Sequence, residues 1–183
     1  MAPPTPLNAS THLLEFLKTL HSQSLTQEAT VDWYSLPEQT SDAFDDIMRD
    51  KFIALDQDKC ELVYHVLRSI NAKTVVEAGT SFGVSTIYLA LAVKENMKRD
   101  DSGSVAGKVI GTEKEPSKAT EARKNWERAG AEIGGVIDLR VGDLREMLTG
   151  DLGVVDFLLL DSEFDLDLPT KVALFGLWSG IDR

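Results

Sequence analysis

The segment VVEAGTSFGVST, residues 75 to 86, limits the possible folds of the chain more than any other stretch. Gly79 and Gly83 separate a strand-like apolar run from a helix-like run, which is typical of a tight strand-to-helix turn. Two interpretations are open. In one, Ser81 lies in the G-x-S-x-G pattern that presents a serine nucleophile in α/β hydrolases. In the other, the E-x-G-x-x-x-G pattern is a turn where a nucleotide-bearing ligand approaches the backbone.

Strands and helices alternate along the chain from residue 73 onward. The apolar runs that predict strands are TVVEAG, KVIGTE, IDLRVGD and VVDFLLLD. Helical runs follow the first two strands, and the second of these begins at Pro116 and stops at Gly130. This alternation predicts an α/β fold with a Rossmann-like, doubly wound and mostly parallel sheet, whose ligand sites lie at the carboxyl ends of the strands.

The region before the first strand is predicted to be helical. Leucines recur at helical spacing over about 11–24, where Ser10 or Thr11 can cap the helix. The segments AFDDIMRDKF and DQDKCELVYHVLRSI predict two more helices. The expected division of the chain is an N-terminal helical extension or cap at 1–55, a Rossmann-like core at 56–168 and a divergent short tail at 169–183.

The charge balance narrows the range of partners. Thirty acidic against nineteen basic residues give a formal net charge of −11, which disfavours nucleic acid and anionic membrane surfaces. No apolar run approaches the roughly 20 residues that span a bilayer. Cys60 is the only cysteine, so an intrachain disulfide is impossible, and the N-terminal residues lack the pattern of a secretory signal. We expect a cytoplasmic protein that acts on a small molecule, with no nucleic-acid or membrane partner.

The hydrolase interpretation requires a histidine base, and in α/β hydrolases that histidine follows the serine in the chain. The histidines His12, His21 and His65 all precede Ser81 and lie in segments predicted to be helical. A serine elbow also normally follows several strands, whereas this one follows the first. The order of the residues therefore argues against a serine hydrolase, and His65 is expected to have a structural role.

The nucleotide interpretation gains support from the later strands. The first turn of the helix after Gly83 offers free N–H groups and a positive dipole end, which suits a carboxylate such as that of S-adenosylmethionine. Glu113 ends the second strand, where an acidic residue accepts hydrogen bonds from ribose hydroxyls. Asp143 follows the third strand and is placed to receive an adenine amino group. Simpler roles stay open: the glycines as turn residues, Glu113 and Asp143 as ordinary strand-end carboxylates, and Ser85 as a helix N-cap.

With these residues assembled, the chain resembles the class I S-adenosylmethionine-dependent methyltransferases, most closely the small O-methyltransferases of the caffeoyl-CoA and catechol type and their fungal relatives. The resemblance runs from about residue 52 through 173 and rests on FIALDQDK, VVEAGTSFGVSTIYLA, VIGTEKEPSKA, LRVGDLREML and VDFLLLD in that order. It implies S-adenosylmethionine as the cofactor. The residues that would line the cofactor site are Glu77, Gly79, Ser81, Gly83, Ser85, Glu113, Asp143 and Asp161.

The chain also departs from that family. After LPTKVAL it reads FGLWSGIDR and stops, whereas a methyltransferase of this type continues through three more strands, so we expect a chain truncated at the C-terminus. The resemblance places Asp161 where metal-dependent members hold a divalent ion, but the Asp-Asn pair that completes such a site would lie in the absent part. We therefore expect no metal site, with Asp161 as the one candidate ligand.

Two functions are compatible with these features. The first, which we favour, is transfer of the methyl group of S-adenosylmethionine to a hydroxyl of a small phenolic molecule, for which no catalytic base is identified. The second is a relative that has lost methylation and binds a ligand or a partner, or catalyses a different reaction in a biosynthetic pathway. Because VVDFLLLD would lie at an open sheet edge, we also expect a homodimer or higher oligomer with residues from about 156 to 178 at the contact.

Overall fold

The computed structural model describes residues 7–38, 41–99, 106–149 and 152–161. Its helices are α1 (Thr11–Glu28), α2 (Asp42–Met48), α3 (Gln57–Ser69), α4 (Val84–Met97), α5 (Pro116–Ala129), α6 (Ala131–Gly134) and α7 (Leu144–Met147). Its strands are β1 (Thr74–Ala78), β2 (Lys108–Glu113), β3 (Ile137–Val141) and β4 (Phe157–Leu160). The predicted tail at 169–183 lies outside the described residues.

The four strands form one parallel sheet in the order β3-β2-β1-β4. Near the end of β1, Glu77 lies opposite Gly111 of β2 and Leu159 of β4. Because every pairing is parallel, the carboxyl ends of the strands meet at one edge of the sheet. The predicted Rossmann-like α/β fold is confirmed, and β4 pairs with β1. The turn after β1 therefore lies between the end of β2 and the end of β4.

The ends of the N-terminal helices depend on side chains that cap or compete for backbone groups. Ser10 is the N-cap of α1, because its hydroxyl accepts the Leu13 N–H at 3.2 Å. The segment predicted for the second helix runs to Phe52, but α2 ends at Met48. The Phe52 N–H is donated instead to the side-chain carbonyl of Gln27 on α1, at 2.7 Å. A contact distant in sequence thus holds this stretch outside the helix.

One face of the sheet carries the main hydrophobic core. Residues of α1, α3, α4 and α5 pack there against the strands, so the helical cap shares a core with the sheet. The opposite face is covered by a smaller cluster from the connection between α7 and β4. Its members are Val76, Ile110 and Leu158 from the strands and Leu148, Leu152 and Val155 from the connection. The domain boundary at residue 55 stays a prediction.

Asp156 is the polar exception in the apolar sequence of the fourth strand. It lies just before β4, and its Oδ2 accepts the N–H groups of Lys73 at 2.7 Å and Thr74 at 2.9 Å. The Asp156 N–H donates in turn to the Thr74 carbonyl at 2.8 Å. The carboxylate therefore fixes the start of β4 against the start of β1.

A buried polar pair joins α1 to α4. His21 Nε2 lies 2.9 Å from the hydroxyl of Tyr88, and both side chains are buried. Burial lowers the pKa of His21, because a charged imidazole would lose its hydration there, while the charges of Glu61 and Asp56 oppose this effect. The neutral form of His21 is the one that suits the folded protein.

Acidification is expected to destabilise the protein through His21. Its pKa is lower in the folded chain than its ordinary value of 6.5, so below that pH the unfolded chain takes up the proton first. Stability is then lost by up to about 1.4 kcal/mol for each pH unit until the folded form also titrates. Above pH 6.5 the histidine is neutral in both states and contributes no pH dependence.

Urea unfolding at pH 7.5 and pH 5.5 tests this expectation. The wild-type protein should lose more unfolding free energy between the two pH values than the variant His21→Gln, which cannot titrate. Equal losses in the two proteins would contradict a neutral buried histidine.

Candidate functional site

The turn between β1 and α4 passes three times through the left-handed region of backbone space. Gly79, Ser81 and Gly83 have φ angles of 93°, 49° and 76°, and such a φ is costly for a residue other than glycine. The Gly83 N–H donates to the Thr80 carbonyl at 2.8 Å, which closes the turn. The Thr80 N–H donates to the carbonyl of Thr112 on β2, also at 2.8 Å. The turn is therefore fixed directly to the end of β2.

Glu77 is the buried centre of this region. Its side chain is 0% exposed, and it accepts hydrogen bonds from the hydroxyls of Ser85 at 2.6 Å, Thr86 at 2.5 Å and Thr80 at 3.0 Å. Burial raises the pKa of Glu77, and the three hydroxyl donors oppose that rise by stabilising the carboxylate. The carboxylate therefore ties the strand, the turn and the first turn of α4 together.

The N-terminus of α4 receives no side-chain cap. Gly83 is the N-cap residue and makes no side-chain hydrogen bond. Ser85, one of the sequence candidates, is not the N-cap, and its hydroxyl donates to Glu77 rather than capping the helix. The first N–H groups of α4 therefore retain the capacity to bind a ligand carboxylate.

Glu113 ends β2 beside the turn and is 8% exposed. Its Oε2 accepts the Ser81 N–H at 2.7 Å, and its Oε1 accepts the Glu115 N–H at 2.8 Å. The bond to Ser81 stabilises the left-handed residue of the turn. Each carboxylate oxygen still has a lone pair for a further donor. The structure thus gives Glu113 a local role that the sequence did not predict, and its contact with a ribose stays a prediction.

Asp143 lies between β3 and α7 and is engaged by a neighbour. Arg145 donates to it through Nε at 3.0 Å and Nη2 at 2.6 Å, and the Arg145 N–H donates to Oδ1 at 2.8 Å. These hydrogen bonds lower the pKa of Asp143 to about 2. The carboxylate is therefore ionised and paired with a cation before any ligand arrives.

Asp161 follows β4, and its N–H donates to the Ala78 carbonyl at 3.0 Å. Burial raises the pKa of this carboxyl to about 7, with a further rise from the nearby charge of Glu77 and an opposing effect of Lys59. The side chain of Asp161 reaches the narrow cleft beside the turn. Because its pKa lies near neutrality, a cation placed in that cleft would favour the ionised form of Asp161.

The cleft itself is small, with a volume of about 10 Å³, roughly the space of one water molecule. The turn and the start of α4 form one wall, and residues 53–55 form the other. The lining residues are Ile53, Ala54, Leu55, Thr80, Ser81, Phe82, Val84, Ser85 and Asp161. Ligand sites usually have volumes of a few hundred Å³. A nucleotide cofactor fits only if this cleft widens.

Residues 52–55, which we name the cover segment, close the cleft from above. Phe52 stacks on Phe82 with ring centroids 4.5 Å apart, and the Ser81 hydroxyl donates to the Ile53 carbonyl at 3.4 Å. On its other side, the Ala54 N–H donates to the hydroxyl of Ser24 on α1 at 2.8 Å. FIALDQDK contributed to the family resemblance, but nothing in the sequence indicated that this segment covers the turn.

Helix α5 contacts the same turn through two buried side chains that sequence reasoning did not assign to the site. Asn125 Nδ2 donates to the Phe82 carbonyl and Trp126 Nε1 donates to the Gly83 carbonyl, both at 3.0 Å. The Trp126 side chain is buried at 4% exposure. A Cβ built on Gly83 would lie 2.5 Å from Trp126 Nε1, so the two residues fit closely.

The structure thus brings most of the predicted site residues to one turn. Glu77, Ser85 and Glu113 are bonded to it or to its helix, and Asp161 lines the adjoining cleft. Asp143 is paired locally with Arg145 instead. Contact of any of these residues with a cofactor stays a prediction.

Neither the hydrolase nor the metal interpretation gains support from these contacts. Ser81 donates to a backbone carbonyl, while His21 is bonded to Tyr88 and His65 contacts the ring of Tyr64. Among the described residues, no group of three or more histidine, cysteine or carboxylate side chains is placed to hold a metal ion. The acidic residues after Asp161 lie outside the described part of the chain, so the expectation of no metal site stays a prediction.

Gly83→Ala is expected to destabilise the protein more than Gly153→Ala. Both glycines are left-handed, at φ of 76° and 70°, so the backbone strain of the substitution is similar. Among the described residues a new Cβ at Gly153 meets nothing within 4 Å, whereas at Gly83 it meets the indole of Trp126. We expect an additional loss of about 1 to 3 kcal/mol for Gly83→Ala, the usual cost of overpacking. Urea unfolding of both variants measures the difference, and equal losses would contradict close packing of the turn against α5.

Comparison with known protein families gives one match. Residues 76–177 match the model of a methyltransferase domain family. No curated protein matches the chain significantly.

Solved structures with the same fold include cofactor-bound Rv0187 from MTB, which is 22% identical with a TM-score of 0.53 over 87% of this chain and 62% of that one. The O-methyltransferase from Bacillus cereus in complex with SAH is 20% identical, with a TM-score of 0.53 over 88% and 56% of the two chains. The O-methyltransferase TomG from Streptomyces achromogenes, in complex with SAM, is 19% identical, with a TM-score of 0.53 over 86% and 56%. The chain thus spans 56 to 62% of the length of these structures, and the likeness is one of fold.

Proposed function

We propose that the chain binds S-adenosylmethionine at the β1–α4 turn, because it belongs to the methyltransferase domain family. This family depends on S-adenosylmethionine, and the match of its model confirms the resemblance found in the sequence. Its proposed reaction is transfer of the methyl group to a hydroxyl of a small molecule. One observation carries the proposal. The uncapped N-terminus of α4 and the carboxylate of Glu113 meet at the same turn: the Ser81 N–H donates to Glu113 at 2.7 Å, and α4 begins at Val84.

The two features match the two polar ends of the cofactor. The N–H groups at the start of α4 bind its carboxylate, since a helix N-terminus combines free donors with a positive dipole end. Glu113 accepts the ribose hydroxyls with the lone pairs that its two backbone bonds leave. Asp161 and the hydroxyl oxygen of Ser85, two residues that line the cleft, would hold the ammonium group of the cofactor. Asp143 stays a proposed contact of the adenine amino group, and it would have to share its oxygens with Arg145.

S-adenosylmethionine supplies a methyl group on a positively charged sulfur. The protein contributes mainly position, because in-line displacement requires the acceptor oxygen behind the methyl group at a short distance. The cover segment excludes water from the cleft, since Phe52 and Ile53 already contact the turn there. Among the described residues that line the cleft, Asp161 is the only carboxylic acid.

We propose a phenolic acceptor because such a hydroxyl is the easier one to deprotonate. A phenol has a pKa of roughly 10, far below that of an ordinary alcohol. A site that works mainly by position therefore suits a phenol better than an alcohol. A panel of phenols and matched aliphatic alcohols, assayed for methylation with S-adenosylmethionine, separates the two acceptor classes.

The alternative function is binding of a ligand or a partner without methylation. A cleft of about 10 Å³ holds neither cofactor nor acceptor until the cover segment moves. The same assay distinguishes the two functions, because a binding protein retains S-adenosylmethionine and forms no methylated product.

The location and assembly of the protein complete the proposal. Within the described residues no helix is long and apolar enough to cross a membrane, and we propose a cytoplasmic protein from the sequence features given above. β4 pairs with β1 on one side, and among the described residues no strand pairs with its other side. A homodimer or higher oligomer through this edge stays our proposal, since residues 162–178 of the predicted contact lie outside the described part of the chain.

Replacing Glu113 by glutamine is expected to weaken binding of S-adenosylhomocysteine, the demethylated cofactor. The amide loses the charge that the ribose hydroxyls bind, at a cost of about 1.5 to 3 kcal/mol. Titration calorimetry measures the change for wild type and Glu113→Gln. Glu121→Gln, on the exposed face of α5 where Glu121 pairs with Lys124 at 2.6 Å, is the matched control and should bind normally.

A dideoxy analogue separates ribose contact from the local role of Glu113. Removal of both ribose hydroxyls should weaken binding to the wild type but not further weaken binding to Glu113→Gln. If the two losses add in full, Glu113 acts only through Ser81 and the ribose assignment is wrong.

The affinity for S-adenosylhomocysteine is expected to rise with pH through Asp161. The pKa of this group is about 7 in the unliganded protein, and an adjacent ammonium group lowers it by favouring the ionised form. Binding therefore releases a proton near and below neutral pH, so affinity increases from pH 6 to pH 8 and then levels off. Calorimetry in two buffers of different ionisation heat measures the proton release, which Asp161→Asn should abolish. A wild-type affinity that does not change with pH would contradict contact between the ammonium group and Asp161.

A further inference from the structure

The contact of α5 with the β1–α4 turn is specific as well as close. Asn125 and Trp126 are adjacent in sequence, and each donates a hydrogen bond to one of two adjacent carbonyls, those of Phe82 and Gly83. Both donors are buried, at 8% and 4% exposure. A buried N–H without a partner costs about 1 to 3 kcal/mol, so the pairing is a strong constraint on both elements.

The residue types at these positions are not those that a surface helix requires. Asparagine is a poor helix former because its side chain competes with backbone hydrogen bonds, yet Asn125 lies in the interior of α5. Its side chain is directed to another element instead, through the bond to Phe82. This use of an unfavourable residue indicates a role for the contact that helix formation does not explain.

The two carbonyls determine where the next N–H groups point. A peptide unit is planar and trans, so the direction of a carbonyl sets the opposite direction of the N–H in the same unit. The unit of the Phe82 carbonyl contains the Gly83 N–H, which closes the turn onto Thr80 at 2.8 Å. The unit of the Gly83 carbonyl contains the N–H of Val84, the first residue of α4.

We propose that Asn125 and Trp126 are positioning residues for the cofactor, and that the indole of Trp126 aims the Val84 N–H at its carboxylate. The inference rests on the proposed function, since it requires the cofactor's amino-acid end to lie at the start of α4. It goes further by assigning to α5 the orientation of the donor that contacts the ligand.

The test uses two ligands that differ only at the end in question. S-adenosylhomocysteine has the amino-acid group, and 5′-methylthioadenosine keeps the adenine, ribose and sulfur without it. Trp126→Phe keeps a buried ring and removes the N–H. Its affinity for S-adenosylhomocysteine should fall about five- to tenfold, less than the loss of a whole hydrogen bond to a charged group, because the Val84 N–H is misdirected and not removed. Its affinity for 5′-methylthioadenosine should remain that of the wild type.

Two further variants keep the result interpretable. Asn125→Leu has a similar volume and no donor, and it should shift the ratio of the two affinities in the same direction, so the test survives if Trp126→Phe does not fold. Tyr88→Phe removes a buried hydroxyl that bonds to His21 at 2.9 Å on the same helix α4, and it should leave the ratio unchanged. Circular dichroism and thermal unfolding establish that each variant is folded before titration.

The outcomes separate this inference from the proposed function. A wild-type protein that binds neither ligand overturns the proposed function. A wild type that binds both, with variants whose affinities fall equally for the two ligands, reduces Asn125 and Trp126 to packing residues and overturns the inference. Variants that bind S-adenosylhomocysteine as tightly as the wild type overturn it as well.

Discussion

The buried carboxylate of Glu77 is the interaction on which the rest of the site depends. A carboxyl group without exposure is costly unless it is hydrogen-bonded, and Glu77 meets that condition through the hydroxyls of Thr80, Ser85 and Thr86. These donors belong to the turn and to the first turn of α4, so one side chain on β1 joins three pieces of backbone. The neighbouring strand is adapted to it as well. A Cβ on Gly111 would lie 2.5 Å from the Thr80 hydroxyl, so a larger residue would displace one of the donors.

Side chains from β2 and from α5 bond to the same turn as Glu77. From β2, Glu113 accepts the N–H of the left-handed residue Ser81, and from α5, Asn125 and Trp126 hold the two carbonyls that follow. Each contact reaches a different peptide unit of the same turn. The turn therefore has its conformation set by Glu77, by the sheet and by a packed helix, so the fold itself fixes the directions of its backbone donors. Such preorganisation is the main advantage that a rigid scaffold gives to binding.

The sequence allowed the fold to be predicted because it depends on local patterns, and the position of the candidate site, which follows from the same patterns, stays a prediction. Apolar runs and glycine spacing define β1, the turn and α4, and the parallel order then brings Glu113 and Asp161 to the same edge. The contacts that sequence reasoning missed are distant in sequence. Asn125 and Phe82 are 43 residues apart, and Ala54 and Ser24 are 30 apart, so no periodicity joins them. Asp143 shows that a contact close in sequence can also be missed. Its partner Arg145 is only two residues away, yet the sequence pattern did not reveal the hydrogen bond between the two side chains.

The difference between the rigid turn and the cover segment indicates where room for a ligand must come from. The turn is held by buried bonds of 2.5 to 3.0 Å around Glu77 and by the two bonds from α5. The cover segment contacts the turn through one hydroxyl bond of 3.4 Å and one pair of stacked rings. An aromatic pair contributes about 0.5 to 1.5 kcal/mol and a long hydrogen bond less than a short one. Widening the cleft by moving the turn would break the stronger set and leave Glu77 unpaired in the interior. If a ligand widens the cleft, we expect the side chains of Phe52 and Ile53 to move away from the turn, while Gln27 and Ser24 keep the segment bonded to α1.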